Sequence, residues 1–582
     1  MAQLAPAFPP KPLDGLPRDE ALRRYCDSRL QGLRNYRYSW WTHWRELADF
    51  ILPRRYKWLI TPNQFSRGSP INQHIIDSTG TIAARTLSAG IMSGVSSPTR
   101  PWLKLKIGRI DSTQTSPTSL WLAECLRILY LIFKESNLYN SLAVAYYDLV
   151  VFGTALILLY EDFDDVVNCV NPCLGEYFVE NGPKMEVTTV AREFTLTAGQ
   201  TATKFGVENC STTIQQLVST GGASLSRESI IAHLIEPNEG EFGRLSSLPR
   251  HFKYGEVYWE WGNTGTSGQG GGTVLRTRGF HECPFACVRW DLVSNDPYGR
   301  SPGMDALGDI KQLQQETRRK AQAIDKMVNP PMLADIMLKN QPASLLPGGV
   351  TYIPGFAQGK PGMAPIYQVN PYIADMSADI KEVQERIKLI FFNNLFQMIS
   401  QFEPKSNISA TEIDARRSEQ LVLLGPVLDR MDRELLRMTV SRIFAIAARS
   451  GILPPAPPEI QGEALEIEYV SMLSEALAAN KGGSIERLFS VAGNAAAVDP
   501  AIVDNVDFDM GLDILADSWG VDPRVIRSPE QLAQIRQLRA QQQEAQQQKA
   551  DLLAATQGAK NLATSPMGEG RNALQTLAGG QA

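Results

Sequence analysis

The sequence predicts an α+β protein in which long amphipathic helices flank a strand-rich middle section. Before residue 160, apolar residues recur at the helical spacings of three and four. β-Branched and aromatic residues dominate residues 163–300, and helical periodicity returns at residue 303. The chain has 582 residues, of which 43% are hydrophobic and 20% charged, and this is enough material for several packed domains.

The N-terminal region begins with a proline-rich stretch, and we expect residues 1–20 to be flexible. Residues 18–57 show the periodicity of a helix, because four apolar residues share one face: Trp40, Trp44, Leu47 and Ile51. Pro53 should end this helix. Arginines alternate with aromatic residues along this helix. The pattern fits a platform for stacking single-stranded nucleic acid. It also fits a packed helix whose arginine stems cross aromatic rings, which we favour.

A sharp corner follows a second predicted helix, residues 75–92. The sequence IMSGVSSPTRPWLKLKI, residues 91–107, has Gly94 and Pro98 at the turn and then alternates as a strand does. We expect Trp102 to anchor that strand in the core.

The middle of the chain changes from helix to strand. A long helical pattern covers 118–147, and an apolar segment at 149–160 is broken by Gly153. The segment 251–262 predicts a strand, and the glycine-rich stretch 262–273 predicts a loop rather than a phosphate-binding P-loop, because no Lys-Ser or Lys-Thr ends it.

Two further helices are predicted on either side of a small β module. Ser301 and Pro302 are typical of a helix N-terminus, and this helix should cover 303–329. Short apolar runs between glycines and prolines predict the β module at 332–370, and a second helix follows at 372–400.

A third helix should start with a capping box formed by Ser409 and Glu412 and should end before Pro454. Pro426 interrupts its apolar pattern, so we expect a kink near Gly425.

The C-terminal region is predicted to be helical over 471–520, and the glutamine-rich 530–555 is a polar helix former that we expect to be helical only when packed in an assembly. A loose tail is expected at 556–582. Carboxylates cluster in the first of these segments, and the spacing of an EF-hand is not there. We interpret the cluster as a solvated acidic face rather than a metal site; its members are Asp504, Asp507, Asp509, Asp513 and Asp517.

Charge and cysteine usage exclude several classes of protein. The net charge of −5 argues against tight nucleic-acid binding, so any such contact should be local or transient. The longest apolar run, Leu149–Tyr160, is too short to span a bilayer, and we expect a soluble, intracellular chain without a secretory signal. Seven cysteines, including the pairs Cys169/Cys173 and Cys283/Cys287, favour reduced thiols over zinc.

Catalytic motifs do not stand out. The five histidines show no metal-ligand spacing, there is no GxSxG sequence, and the acidic segment LILLYEDFDD at 156–165 lacks an accompanying P-loop. We therefore expect no enzyme activity, no cofactor and no metal. The alternative is a DNA-processing, metal-dependent nuclease that uses carboxylates far apart in sequence.

Several segments together resemble the head-to-tail connector (portal) proteins of podovirus-type tailed bacteriophages. The resemblance covers about residues 45 to 458, and its order is more specific than any one piece. It is carried by LADFILPRR, IIDSTGTIAARTLSAGIMSGVSSPTRPWLKLKI, YYDLVVFGTALILLYED, PFACVRWDLVSNDPYGRSPGMDALGDIKQLQ, VNPPML, ISATEIDARRSEQLVLLGPVLDRMDRELL and RIFAIAARSGILPP.

The resemblance implies a portal-type ring subunit. Its mixed α/β wing would cover 21–302, two stem helices would cover 303–329 and 372–400, and a small β clip would cover 330–371. A channel loop and a long kinked wing helix would occupy 401–460, and a helical crown or barrel would occupy 461–555. The corner at 91–107 would then be a rigid shoulder of the wing.

The ring implied by the resemblance has about twelve subunits around a DNA channel. Twelve helices about 10 Å wide give a ring about 38 Å across at the helix axes and a bore of about 28 Å, which admits B-DNA. The candidate channel residues are Arg318, Arg319, Lys320, Lys326, Lys381, Arg386, Lys388 and, in the loop QFEPKSN, Lys405.

The resemblance also implies a place in the virion and a set of partners. The ring would sit at one capsid vertex after assembly in the bacterial cytoplasm, and double-stranded DNA would be packaged and ejected through it. Partners would be the terminase large subunit, the major capsid and scaffolding proteins, tail adaptor or nozzle proteins, and internal ejection proteins. No membrane contact is expected, and a membrane-active ejection protein is disfavoured because no long apolar helix or basic amphipathic segment occurs.

Overall fold

The structure is a computed structural model of the whole chain. It describes residues 18–53, 55, 73–107, 117–238, 251–261, 273–328, 332–334, 363–365, 372–393, 424–458, 465–469, 487–493, 506–518, 529–564, 566–567 and 571–572. Two compact units can be distinguished. The larger comprises residues 1–104, 129–453 and 469–474, and the smaller comprises 105–128, 454–468 and 475–582.

Along the described part of the chain, helices and strands are largely grouped in separate blocks, as in an α+β protein. The main helices are α1 (Arg18–Phe50), α2 (Thr79–Val95), α3 (Pro117–Glu135), α4 (Leu138–Phe152), α5 (Ala198–Phe205), α6 (Thr212–Thr220), α7 (Pro302–Val328), α8 (Ile373–Ile390), α9 (Arg437–Arg449), α10 (Phe508–Ser518) and α11 (Pro529–Thr564). Most of the N-terminal stretch predicted to be flexible, residues 1–17, lies outside the described residues.

Two antiparallel sheets form the strand-rich middle of the larger unit. Their strands are β2 (Thr154–Asp162), β3 (Val166–Val170), β4 (Tyr177–Asn181), β5 (Val187–Thr197), β6 (Glu228–Pro237), β7 (Tyr254–Trp261), β8 (Val274–Phe280) and β9 (Phe285–Arg289). One sheet has the strand order β3-β2-β9, and the other has the order β4-β5-β6-β7-β8. Strand β7 is the strand predicted at 251–262, and nearly all of the glycine-rich stretch after it lies outside the described residues.

The five-stranded sheet is covered on both faces. Helix α1 packs its apolar stripe, which includes Leu30 and Leu33, against Phe178, Leu234 and Trp259 on one face. Helices α5 and α6 cover the other face, where their residues join a core cluster with residues of β5 to β8: Phe194, Ala198, Phe205, Cys210, Ile214, Ile231, Tyr258 and Leu275. Each face thus has its own core.

The N-terminal helix is a packed helix, as the sequence favours. Trp40 and Trp44 are 8% and 0% exposed, stack on each other at 5.7 Å and contact Tyr298. The buried Arg37 lies across the Phe178 ring at 3.8 Å and donates to the carbonyls of Gly175 and Tyr177. Buried tryptophans have no free face for a base, so the two residues do not form a stacking platform.

The corner at 91–107 leads into strand β1 (Leu103–Ile107), and Trp102 anchors it as predicted. Trp102 is 3% exposed and stacks on Phe133 at 5.7 Å. The Tyr130 hydroxyl accepts hydrogen bonds from the backbone N–H groups of Trp102 and Leu103. Helix α2 passes through Gly94 and ends at Val95, so Gly94 itself does not end the helix.

The long helix predicted over 118–147 is instead two helices, α3 and α4, separated at Ser136 and Asn137. Asn137 explains the break, because its side chain bonds both the N–H and the carbonyl of Cys169 in β3 at 2.8 Å. An asparagine whose side chain forms hydrogen bonds with the backbone favours a non-helical conformation, so the helix is interrupted there.

Glycine is required where α4 turns into β2. Gly153 has φ +79° and caps α4, and a Cβ there would lie 2.4 Å from the carbonyl oxygen of Gly299. The segment 149–160 is therefore half helix and half strand, divided at the residue that the sequence indicates.

The predicted helix pair 303–329 and 372–400 corresponds to α7 and α8, but α8 ends at Ile390, before the predicted end at residue 400. Phe391 and Phe392 form a turn there, and Phe392 has a φ of +53°. Residues 394–400 lie outside the described residues. Met304 N–H donates to the Ser301 hydroxyl, so Ser301 caps α7, and Pro302 is its first residue. Strands β10 (Met332–Ala334) and β11 (Met363–Pro365) pair in antiparallel fashion between the two helices. The rest of the predicted β module lies outside the described residues.

The third predicted helix is described from residue 424 onward. A π-helical turn, Asp432–Leu436, interrupts it before α9 begins. A π-turn is a recognised cause of helix bending. It lies C-terminal to Gly425, near which Pro426 predicts a kink. The capping box of Ser409 and Glu412 lies outside the described residues.

The smaller unit contains the C-terminal elements. Strand β12 (Leu465–Tyr469) pairs with β1, and two-residue strands β13 (Pro566–Met567) and β14 (Arg571–Asn572) pair with each other. The glutamine-rich helix α11 continues to Thr564, past residue 556, where the sequence predicts that the tail begins. Arg536 of α11 pairs with Asp509 of α10 at 2.8 Å.

Candidate functional site

Helices α7 and α8 hold seven of the eight candidate channel residues, and they form an antiparallel pair. Arg386, near the end of α8, lies 3.7 Å from Asp309, near the start of α7. The β10–β11 pairing joins their other ends. The two helices therefore run side by side, with the β pair at one end.

One half of this helix pair is buried in the larger unit. In α7 the stripe of Leu307, Ile310 and Leu313 is at most 7% exposed, and in α8 Val383 and Ile387 are fully buried. Gly80 of α2 lies against Ile310, since a Cβ at residue 80 would be 2.9 Å from its side chain. This half fixes the pair on α2 and α4.

A buried glutamine ties the pair to the start of α2. The Gln314 side-chain oxygen accepts the N–H groups of Ile76 at 2.7 Å and Asp77 at 2.8 Å, and its amide donates to the Asp77 carbonyl. Gln384 of α8 donates to the Asp77 carboxylate at 2.8 Å. We call Asp77, Gln314 and Gln384 the Gln314 knot. Sequence reasoning misses this feature, and a polar residue within the apolar stripe of α7 is its only signal.

The other half of the pair extends away from this packing and exposes apolar side chains. Ile324 is 40% exposed, Met327 45%, Val328 80% and Tyr372 81%. These residues lie at the ends of α7 and α8 nearest to β10 and β11. An exposed apolar group at the end of a helix pair is typical of a surface that another chain covers.

The four candidate cations of α7 lie on different faces of the helix. Arg319 and Lys326 are exposed and lie about half a turn from Ile310, on the face opposite the buried stripe. Arg318, which is exposed, and Lys320, which is half-buried, lie on the two flanks. None of the four forms an ion pair with a described residue.

The three candidates of α8 are more neutralised. Arg386 faces Asp309 of α7, and Lys388 pairs with Glu385 at 2.8 Å on its own helix. Lys381 is exposed and lies two turns before Lys388 on the same side. Lys405, the eighth candidate, lies outside the described residues.

Within the described part of the chain, titratable side chains elsewhere do not form a metal centre. No group of three or more His, Cys, Asp or Glu side chains among the described residues could hold a metal ion. All seven cysteines are free thiols, and burial raises the pKa of Cys169 and Cys287 to about 12. No helix within the described ranges is both long enough and apolar enough to cross a membrane.

The sequence of this chain is similar to a known family model and to known proteins. Residues 23–526 match the family model described as bacteriophage head to tail connecting protein. The chain is 38% identical to a protein named "Probable portal protein" of Bordetella phage BPP-1, over 91% of this chain and 94% of that one. It is also 38% identical to the "Portal protein" of Salmonella phage epsilon15, over 92% and 94% of the two chains.

A solved structure titled "Virion of native gene transfer agent (GTA) particle" is similar over 70% of this chain and 95% of its own, at 11% identity and a TM-score of 0.30. The family match and the two relatives each cover most of the chain. The chain belongs to the family of bacteriophage head-to-tail connecting proteins.

Proposed function

We propose that the protein is a phage portal subunit, which assembles into a cyclic ring at one capsid vertex through which double-stranded DNA is packaged and ejected. Both relatives with 38% identity bear the name portal protein. Membership of a head-to-tail connecting family fits a virion component that faces both the head and the tail.

The observation that carries the proposal is the exposed half of the α7–α8 pair. A ring of identical subunits uses heterologous contacts, in which one surface of a subunit meets a different surface of the next. Side-by-side helix pairs would bury Ile324, Met327 and Val328 in such contacts, and α7, with 27 residues, would line about 40 Å of a channel. The bore of about 28 Å then admits duplex DNA with a water layer.

The finer architecture follows the same proposal. Residues 21–302 and 401–460 form the wing with its channel loop, 303–329 and 372–400 the stem, 330–371 the clip, and 461–555 the crown. Terminase would dock at the clip during packaging and tail adaptors afterwards, while capsid and scaffolding proteins would contact the wing. Assembly would take place in the host cytoplasm, with internal ejection proteins near the crown.

We expect no hydrolytic chemistry in this chain. The nuclease alternative requires carboxylates that hold a divalent cation, and the described residues contain no such cluster. A magnesium-dependent nuclease assay on the purified protein tests this expectation: cleavage of duplex DNA by the protein, lost on addition of a chelator, would restore the alternative.

Negative-stain electron microscopy with mass photometry tests the ring. We expect rings of about a dozen subunits with a central hole. The variant Ile324→Glu/Val328→Glu should give monomers, because two charges would be buried in the subunit contact.

Phe163→Glu is the matched control, since Phe163 is fully exposed at the β2–β3 turn and should leave the ring intact. A wild-type protein that stays monomeric over a wide range of salt and concentration would contradict the proposal. Rings formed equally well by the Ile324→Glu/Val328→Glu variant would show that these helix ends are not in the contact.

A further inference from the structure

A second group of cations lies on the five-stranded sheet, on elements other than α7 and α8. Strand register places Arg192, His233, Tyr258 and Arg276 in one row across β5, β6, β7 and β8. The next row pairs Glu256 with Arg278. Lys204, in helix α5, places its ammonium group over the Tyr258 ring on this face of the sheet. None of these residues is among the eight candidate channel residues.

The aromatic rings in this row bring two cations together. The Lys204 ammonium lies 5.1 Å from the centre of the Tyr258 ring, and the Arg276 guanidinium lies 5.0 Å from the same centre. Both also lie within 5.6 Å of the centre of the Phe205 ring. His233 stacks on Tyr258 at 4.0 Å. Lys204, Arg276 and Arg278 form what we call the sheet cation cluster.

The charges of the sheet cation cluster repel one another. The pKa of Lys204 is lowered to about 8, first by desolvation against the rings and then by the charges of Arg192, Arg276 and Arg278. Lys204 and Arg278 nevertheless keep contact with solvent. A ligand can therefore reach the cluster.

The cluster has more positive charge than its surroundings neutralise. None of its three members forms an ion pair with a described residue, and the Nε of Arg276 is buried without a hydrogen-bond partner there. Glu256 sets one negative charge against these three positive charges, and its Oε1 also lies 2.8 Å from Nε2 of the neutral His233. Arg192 already has a partner, since Glu176 lies 3.6 Å from it.

We propose that the sheet cation cluster binds a phosphate group, with Lys204, Arg276 and Arg278 as its ligands. The Lys204 ammonium and the Arg276 guanidinium lie over the same Phe205 and Tyr258 rings, and Arg278 lies two residues along β8 on the same face of the strand. A guanidinium matches two phosphate oxygens at once. A dianion would relieve the repulsion between three neighbouring cations, at a surface where charges are screened less than in bulk water. The group can come from free phosphate or from a nucleic-acid backbone.

Isothermal titration of the full-length protein with inorganic phosphate, at constant ionic strength, tests the site. We expect saturable binding to the wild type. Lys204→Gln and Arg278→Gln should each weaken it by about tenfold, the effect of removing one charge-assisted hydrogen bond. Both side chains contact solvent, so these variants should fold. Lys184→Gln is the matched control, because Lys184 is an exposed lysine on the turn between β4 and β5.

A parallel titration with a short DNA duplex separates the two sources. If the cluster variants weaken duplex binding in step with phosphate binding, the nucleic-acid backbone is the source; if they weaken phosphate binding alone, the source is free phosphate. Either result supports the site. No binding of phosphate to the wild type, or equal binding by wild type and both cluster variants, would overturn it.

Discussion

At the scale of single residues, His233 is a neutral histidine held inside the sheet. The Arg192 Nε–H donates to His233 Nδ1 at 3.0 Å, so the ring proton is on Nε2, which faces Glu256 at 2.8 Å. Burial lowers the pKa of His233 to about 4. Burial alone would raise the pKa of Glu256, but the hydrogen bond with His233 and the nearby cations outweigh it, so that pKa is lowered. The sequence offers this histidine as one of five without a ligand pattern, and only the strand register shows its partners.

This arrangement predicts acid sensitivity. A histidine with a pKa of about 4 when folded and 6.5 when unfolded binds fewer protons in the folded state between those values. Stability is therefore full above pH 6.5 and is lost as the pH falls towards 4, by about 3 kcal/mol in total. The lowered pKa of Glu256 acts in the same direction.

The measurement is the melting temperature between pH 7 and pH 4, which we expect to fall less steeply in His233→Gln than in the wild type. His281→Gln is the control, because His281 is exposed. An identical slope in wild type and His233→Gln would show that His233 does not carry the acid response.

At the scale of elements, one-sided apolar patterns predict the helices well, and short or interrupted elements less well. Helices α1, α7 and α8 have long buried stripes, which periodicity detects. Helices α5 and α6 have only 8 and 9 residues, between strands, and periodicity does not reveal them. Their caps are the available signal, since Thr197 and Gln200 form a capping box before α5.

The Gln314 knot predicts how the α7–α8 pair is held. Gln314→Leu would keep the volume but leave the N–H groups of Ile76 and Asp77 without their acceptor. Both hydrogen bonds are only partly buried, so each lost bond should cost about 1 kcal/mol, and we expect a lower melting temperature and faster hydrogen exchange in residues 76–79.

Gln312→Leu provides the comparison, because Gln312 is exposed on the same helix and should change stability by less than about 0.5 kcal/mol. Hydrogen exchange with mass spectrometry reads the 76–79 segment directly. Unchanged exchange there in Gln314→Leu would mean that the hydrogen bonds of the knot do not stabilise the start of α2.

At the scale of the whole molecule, an acidic chain carries a few local groups of cations. The net charge is −5, yet Arg319 and Lys326 are exposed on one face of α7 without partners among the described residues. The sequence names eight candidate channel residues but cannot rank them, because periodicity alone does not say which of the basic residues face the channel. The buried stripe ranks Arg319 and Lys326 above Arg386, which faces Asp309.

This ranking predicts a difference between two matched pairs of substitutions. Arg319→Gln/Lys326→Gln removes the cations opposite the buried stripe, whereas Arg318→Gln/Lys320→Gln removes the same charge from the flanks. In assembled rings, binding of a linear DNA duplex should become less salt-dependent in the first variant, with the log–log slope reduced by about one for each phosphate that the protein no longer neutralises. The flank variant should keep the wild-type slope.

Equal slopes in all three proteins would place the DNA-facing cations elsewhere, whereas a reduced slope in the flank variant alone would mean that the flanks of α7, rather than the face opposite its buried stripe, line the channel.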